Sequence, residues 1–220
     1  MARLFTFGCS HTYGHGLADC NVKGHPGDKP SRLGYATILA NSLDRKVMNF
    51  GIPGASNKQI LWKLIQKLPN IHPVADTVVI QWSYVERNMI WQEQMDNLAA
   101  GPIEQMITPW GPDKRSKIWF KHINTLVDDM LNSALYVNHA YLLLSRADIK
   151  FVMIKPPDDS NSKHRHWGIF DRALLSEIDL EELNVTDVAI DKATDGVHSG
   201  PISNKNYAEL LYNKYKDILQ

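Results

Sequence analysis

Near the start of the chain an apolar run, Leu4-Phe5-Thr6-Phe7, stops at Gly8-Cys9-Ser10-His11-Thr12. Near its far end, Asp195-Gly196-Val197-His198 sits just ahead of the last helical pattern. A serine, a histidine and an acid able to orient that histidine are what acyl transfer needs: a nucleophile, a base and a group that fixes the base's tautomer. The Asp-x-x-His spacing lets one loop supply both partners, Asp195 accepting from one ring nitrogen of His198 while the other faces the serine. A third segment, Asn49-Phe50-Gly51-Ile52-Pro53-Gly54-Ala55-Ser56-Asn57, offers glycine backbone that approaches a bound oxyanion closely and donates to it. Taken singly, each segment also reads as an ordinary turn or helix cap.

Positioning such groups requires a framework, and short β-like runs alternate with helical patterns along the chain. Residues 3–8, Lys46–Phe50, Thr77–Trp82 and Lys150–Ile154 read as strands, the third nearly all apolar as befits a strand covered on both faces. Tyr35, Ile38, Leu39 and Leu43 mark one helix. Ser56-Asn57 caps a second that carries Ile60, Leu61, Leu64, Ile65 and Leu68 and stops at Pro69. Phe120, Ile123, Val127, Met130, Ala134, Val137, Tyr141 and Leu144 form one continuous stripe at spacings of three and four, predicting a single long helix. Tyr207, Leu210, Leu211, Tyr215 and Ile218 close the pattern. This is a doubly wound α/β layout around a mainly parallel sheet, which places ligands at the carboxyl ends of its strands. Ser10, Gly54 and Ser83 all fall just past strand ends on that rim.

Composition sets the outer limits. The 220 residues suit one domain, 1–220, with long insertions at about 88–119 and 156–195. Lys plus Arg balance Asp plus Glu to a formal charge of zero, and no basic run exceeds two residues, so a nucleic-acid-binding face has no support. No stretch approaches the roughly 18 apolar residues of a membrane span. Two cysteines without a secretion signal point to free thiols and a cytoplasmic location. The oligomeric state is not encoded in any pattern here.

Taken together, the blocks resemble the SGNH (GDSL-type) hydrolase superfamily, over essentially the whole chain. FTFGCSHTYGHG is similar to the first block of that family, NFGIPGASN to the second, and DGVHSGPISNKNYAELL to the last. The resemblance implies a flavodoxin-like three-layer sandwich with about five strands. It implies a serine esterase working through an acyl-enzyme, with Ser10, Asp195 and His198 as triad and the N–H groups of Ser10 and Gly54 as oxyanion donors. It implies neither cofactor nor metal. The substrate expected is a small-molecule or carbohydrate ester, such as an O-acetyl sugar. An O-acyltransferase and a catalytically weak glycan-binding module on the same scaffold remain alternatives.

Two positions depart from the family pattern. Cys9 replaces the aspartate that usually precedes the serine, and its thiol is expected to face the interior. In the third block, Gln81-Trp82-Ser83-Tyr84-Val85-Glu86-Arg87-Asn88, Val85 falls where an asparagine donor belongs. Ser83 is the local substitute, with Arg87 or Asn88 reachable by a shift in register. His11, Tyr13, Trp82 and Arg87 are candidates to line the substrate site. Trp91, Trp110 and Trp119 are candidates to stack on a sugar or cover an acyl chain. His164 and His166 lack the third ligand that a metal site needs, and read as a solvated loop or a contact for an anionic or sugar group.

Overall fold

A computed structural model describes the chain except for residues 23–24, 93–102, 109–110, 112 and 158–166. In chain order the elements are β1 (Arg3–Gly8), α1 (Ser10–Tyr13), β2 (Asn21–Val22), β3 (His25–Pro26), α2 (Tyr35–Ser42), β4 (Lys46–Gly51), α3 (Asn57–Lys67) and a 3-10 turn at Leu68–Asn70. There follow β5 (Thr77–Gln81), β6 (Asn88–Gln92), β7 (Ile103–Ile107), α4 (Lys114–His122), α5 (Leu126–Arg146), β8 (Lys150–Ile154), α6 (Trp167–Ala173) and α7 (Pro201–Leu219).

The central sheet has the order β4-β1-β5-β8, and every pairing in it is parallel. Beyond β8 a fifth place is taken by a single parallel bridge between Ile154 and Glu181. There the Glu181 N–H donates to Met153 and its carbonyl accepts from Lys155, each at 2.8 Å. Small antiparallel pairs, β2 with β3 and β6 with β7, lie outside this sheet.

The period-two alternation of the strands divides their side chains between two cores. Phe5, Phe7, Val78, Ile80 and Met153 face α3 and α5, meeting Ile60, Leu64, Met130, Val137 and Leu144. Leu4, Val79, Val152 and Ile154 face the other way, against Tyr35 and Leu39 of α2 and Tyr207 and Leu211 of α7. Burial on both faces is why β5 is apolar along nearly its whole length, and it makes the layers helix, sheet, helix.

The long stripe of residues 120–144 does not form one helix. It breaks at Ile123-Asn124-Thr125 into α4 and α5. Thr125 is extended, and its hydroxyl accepts from the Asp128 N–H at 3.1 Å, starting a new helix with an N-cap the apolar spacing conceals. Ile123, counted in the stripe, is exposed.

Candidate active site

The carboxyl ends of β4, β1 and β5 carry three loops side by side. The middle one turns at Cys9 into α1, whose first residue is Ser10. Cys9 is buried in the core, while Ser10 heads a turn whose first N–H groups have no partner within the helix. Polar anchors from three elements hold this short turn. The Thr12 hydroxyl donates to Gln81 Oε1 at 3.1 Å and pairs with the Tyr35 hydroxyl at 2.9 Å, while Asn49 Nδ2 donates to the Thr12 carbonyl at 2.7 Å. These bonds are buried or nearly so, where an unpaired polar atom would be costly, so they fix where Ser10 points.

The β4 loop begins with the Ile52 N–H donating to the Gly8 carbonyl at 2.9 Å, which ties it to the end of β1. Its corner is Pro53-Gly54, closed by the Ala55 N–H donating to Ile52 at 3.0 Å. Gly54 has φ +80°, as the third position of a type II turn requires. Ser56 then caps α3 by accepting from the Gln59 N–H.

The loop bearing Asp195 and His198 comes from the far end of the chain and docks on the turn after α1. Thr194 donates to the Gly16 carbonyl twice, from its N–H at 2.9 Å and its hydroxyl at 2.7 Å. Within this loop His198 Nδ1 lies 2.6 Å from Asp195 Oδ2. The other carboxylate oxygen accepts from the N–H groups of Val197 and His198 at 2.9 and 3.0 Å. Burial pushes the Asp195 carboxyl up, but the Val197 N–H, the His198 ring and the His198 N–H overcome this and hold it at about 2. An ionised acid against Nδ1 puts the ring proton there and leaves Nε2 as the basic atom.

Two further histidines frame that ring. His11, the neighbour of Ser10, meets His198 edge-on with centroids 5.3 Å apart, and His15 lies tilted against it at 4.8 Å. Burial, then the charges of His198 and Arg87, bring His11 down to about 3, so it is neutral wherever His198 acts as a base. Nothing in the sequence patterns singled out His15; its signal was the Gly14-His15-Gly16 run beside the serine.

The third loop differs from the sequence expectation. Ser83 is fully buried, and its backbone is gripped by Asn57, which accepts from the Ser83 N–H at 2.7 Å and donates to its carbonyl at 3.1 Å. The Ser83 hydroxyl accepts from Arg87 Nη1 at 3.1 Å. With its N–H engaged and its surface enclosed, Ser83 is not presented as an oxyanion donor. Trp82 is likewise fully buried in the core facing α3 and α5, not on the substrate side. The Asn88 amide turns to Asp129, donating at 2.8 Å. Arg87 is half-buried, with Cζ 4.8 Å from the Tyr84 ring centroid. The Tyr13 hydroxyl donates to the Gly27 carbonyl, pinning the loop after α1.

Among the described residues no group of His, Cys, Asp and Glu is placed to hold a metal. No helix among them is long and apolar enough to cross a membrane. The His164 and His166 pair and Trp110 lie outside the described residues, as does the Trp91 side chain. Trp119 is half-buried on α4.

No protein-family model matches the chain, and no curated protein matches its sequence. Solved structures do. An aryl esterase from M. smegmatis aligns over 100% of both chains with TM-score 0.60 and 14% identity. A carbohydrate acetylesterase family member from Sinorhizobium meliloti aligns over 100% of this chain and 99% of its own, with TM-score 0.56 and 13% identity. A protein assigned to the G-D-S-L lipolytic family, from Desulfitobacterium hafniense, aligns over 97% and 99%, with TM-score 0.56 and 8% identity. At such identities the shared property is architecture, and the chain has the SGNH (GDSL-type) hydrolase fold.

Proposed function

We propose that the protein is a serine hydrolase that cleaves a carboxylic ester through an acyl-enzyme. The observation that carries this reading is the 2.6 Å contact of Asp195 with His198 Nδ1, on a loop bonded to the turn that follows the short helix headed by Ser10. Ser10 Oγ attacks the ester carbonyl as its proton passes to His198 Nε2, and the carbonyl π pair moves onto oxygen. The N–H groups of Ser10 and Gly54 receive that oxyanion. Collapse expels the alcohol, which takes the proton from His198; a water deprotonated by the same nitrogen then releases the acid. Asp195 holds the ring's tautomer and offsets the imidazolium charge. No cofactor or metal enters these steps.

A small acyl group on a small-molecule or carbohydrate alcohol is the substrate class we favour. The acetylesterase named above shares the architecture. One observation favours a second reading, a glycan-binding module of low activity: Val85, a buried side chain without a donor, stands at the third-block asparagine position.

Hydrolysis of p-nitrophenyl acetate decides between them. Ser10→Ala and His198→Ala should each abolish turnover with the fold intact, and a rate equal to the parent in either variant overturns the esterase reading. Labelling by a fluorophosphonate should vanish in Ser10→Ala and persist in Cys9→Ala. Glycan binding without turnover on any ester would favour the module.

A further inference from the structure

The sheet ends at β4, and a cleft of about 510 Å³ lies along that edge, lined by Pro30, Arg32, Thr37, Asn41, Val47 and Asn49. Thr37 and Asn41 stand four apart on α2 and share one face of the helix. Val47 and Asn49 stand two apart on β4 and share one face of the strand. The Lys46 N–H donates to the Ala2 carbonyl and the Ile52 N–H to the Gly8 carbonyl, so the even-numbered residues of this stretch bond inward to β1. The backbone groups of Val47, Asn49 and Gly51 therefore turn to the open edge. Asn49 Oδ1 accepts from the Gly51 N–H at 2.9 Å. The outward backbone groups of Val47 and Asn49 meet no partner among the described residues.

The cleft carries one charge. Arg32 is exposed, and its guanidinium has no ion pair or hydrogen bond among the described residues. No carboxylate lines the cleft. Asp19 is engaged otherwise, accepting from the Arg32 N–H at 2.7 Å through one oxygen and from the Ser31 hydroxyl through the other. The Ser31 N–H donates to the Tyr13 carbonyl at 2.9 Å, and the Ser31 carbonyl accepts from the Thr37 hydroxyl at 3.1 Å. These bonds fix the backbone from which the guanidinium extends. The Asn41 amide is likewise without a partner among the described residues.

We infer that this cleft binds a small polar molecule bearing an oxyanion, phosphate or carboxylate, with Arg32 as its counter-ion. A guanidinium offers either oxyanion two parallel N–H donors. Asn41 and the open edge of β4 supply donors and acceptors for the hydroxyl or amide groups of the same molecule. The volume falls within the range of small-molecule sites. Ser10 is not among the lining residues, and the inference does not rest on the esterase reading.

Titration calorimetry at constant ionic strength, with glucose 6-phosphate, glucuronate and uncharged glucose as probes, tests this. The expected result is saturable binding of at least one anion by the parent, and none of glucose; which anion binds identifies the group taken. Arg32→Gln should weaken that binding by roughly ten- to a hundredfold, and Asn41→Ala by less. Arg32→Lys, which keeps the charge but not the fork, should fall between the parent and Arg32→Gln, and it replaces Arg32→Gln if that variant fails to fold. Ser10→Ala should bind as the parent does. Four results overturn the proposal: no binding of either anion at about 10 mM, glucose bound as tightly as the anions, an affinity unchanged by either substitution of Arg32, or binding lost in Ser10→Ala, which would put the anion beside Ser10 instead.

Discussion

The side-chain amide of Asn57 holds both backbone polar groups of Ser83, accepting from its N–H at 2.7 Å and donating to its carbonyl at 3.1 Å. Asn57 opens α3 at the end of the β4 loop and Ser83 lies in the loop after β5, on either side of the loop carrying Ser10. One amide therefore locks the spacing between the Gly54 corner and the Arg87 loop, imitating a rung of sheet where no sheet continues.

Replacing Asn57 by alanine leaves the Ser83 N–H and carbonyl and the Ser133 hydroxyl without this partner inside the protein. Leaving such a group unsatisfied costs about 1–3 kcal/mol, which in a chain of this size lowers Tm by several degrees. The expected result is a clear loss in thermal melting together with a drop in kcat larger than in KM. Melting unchanged from the parent would show that the clamp is not holding the loops.

Gly16 lies against Asp195. It has φ +87°, and a Cβ built on it would stand 2.4 Å from Asp195 Oδ2. Gly16→Ala must push the carboxylate away from His198 or unbend the turn, and the turn is held by both bonds from Thr194. We expect ester turnover to fall at least tenfold, with the melting temperature reduced because the backbone is also strained. Crystals of the variant should show Asp195 displaced from Nδ1; full activity would mean that this contact is dispensable.

Two groups, the half-buried His11 and the buried Asp129, are shifted so that their effects on stability have opposite signs. His11, held at about 3 against 6.5 for the free side chain, takes up its proton more readily when unfolded, so its contribution to stability falls as pH drops below about 6.5. Asp129 is raised from 3.8 to about 6, chiefly by burial, despite hydrogen bonds from Asn88 and Asn124. It retains its proton in the native state, and its contribution is present at low pH and lost as pH rises through about 6. Between about pH 4 and 6 the two slopes oppose each other, each near 1.4 kcal/mol per pH unit at most. Melting curves across that window should therefore show Asp129→Asn gaining stability with rising pH relative to the parent, and His11→Asn losing it. Parallel pH profiles for all three proteins would contradict the assignment.

Much of this architecture is written in the apolar pattern because β1, β5 and β8 are covered on both faces and tolerate little else. The Asp195 and His198 pairing is legible because it is local, three residues apart on one loop. Ser83 and Trp82 were misplaced for the converse reason. What removes Ser83 from the rim is an amide at Asn57, 26 residues away, and no spacing rule couples them. The division between α4 and α5 was hidden because Phe120, Val127 and Met130 keep helical spacing across the break, while the capping hydroxyl at Thr125 outweighs it locally.

The docking of Thr194 on Gly16 joins residues 178 positions apart. Contacts so distant in sequence form against the entropy of closing a long loop, and they stand late in any order of assembly. A chain emerging from the ribosome displays Ser10 and the strand beneath it long before the loop of Asp195 and His198 can reach them. On the esterase reading, any fragment that stops short of residue 194 carries Ser10 without its proposed base. If the proposed esterase reading holds, turnover is an assay of finished folding, and a split between residues 16 and 194 would make activity a reporter of the two pieces finding each other.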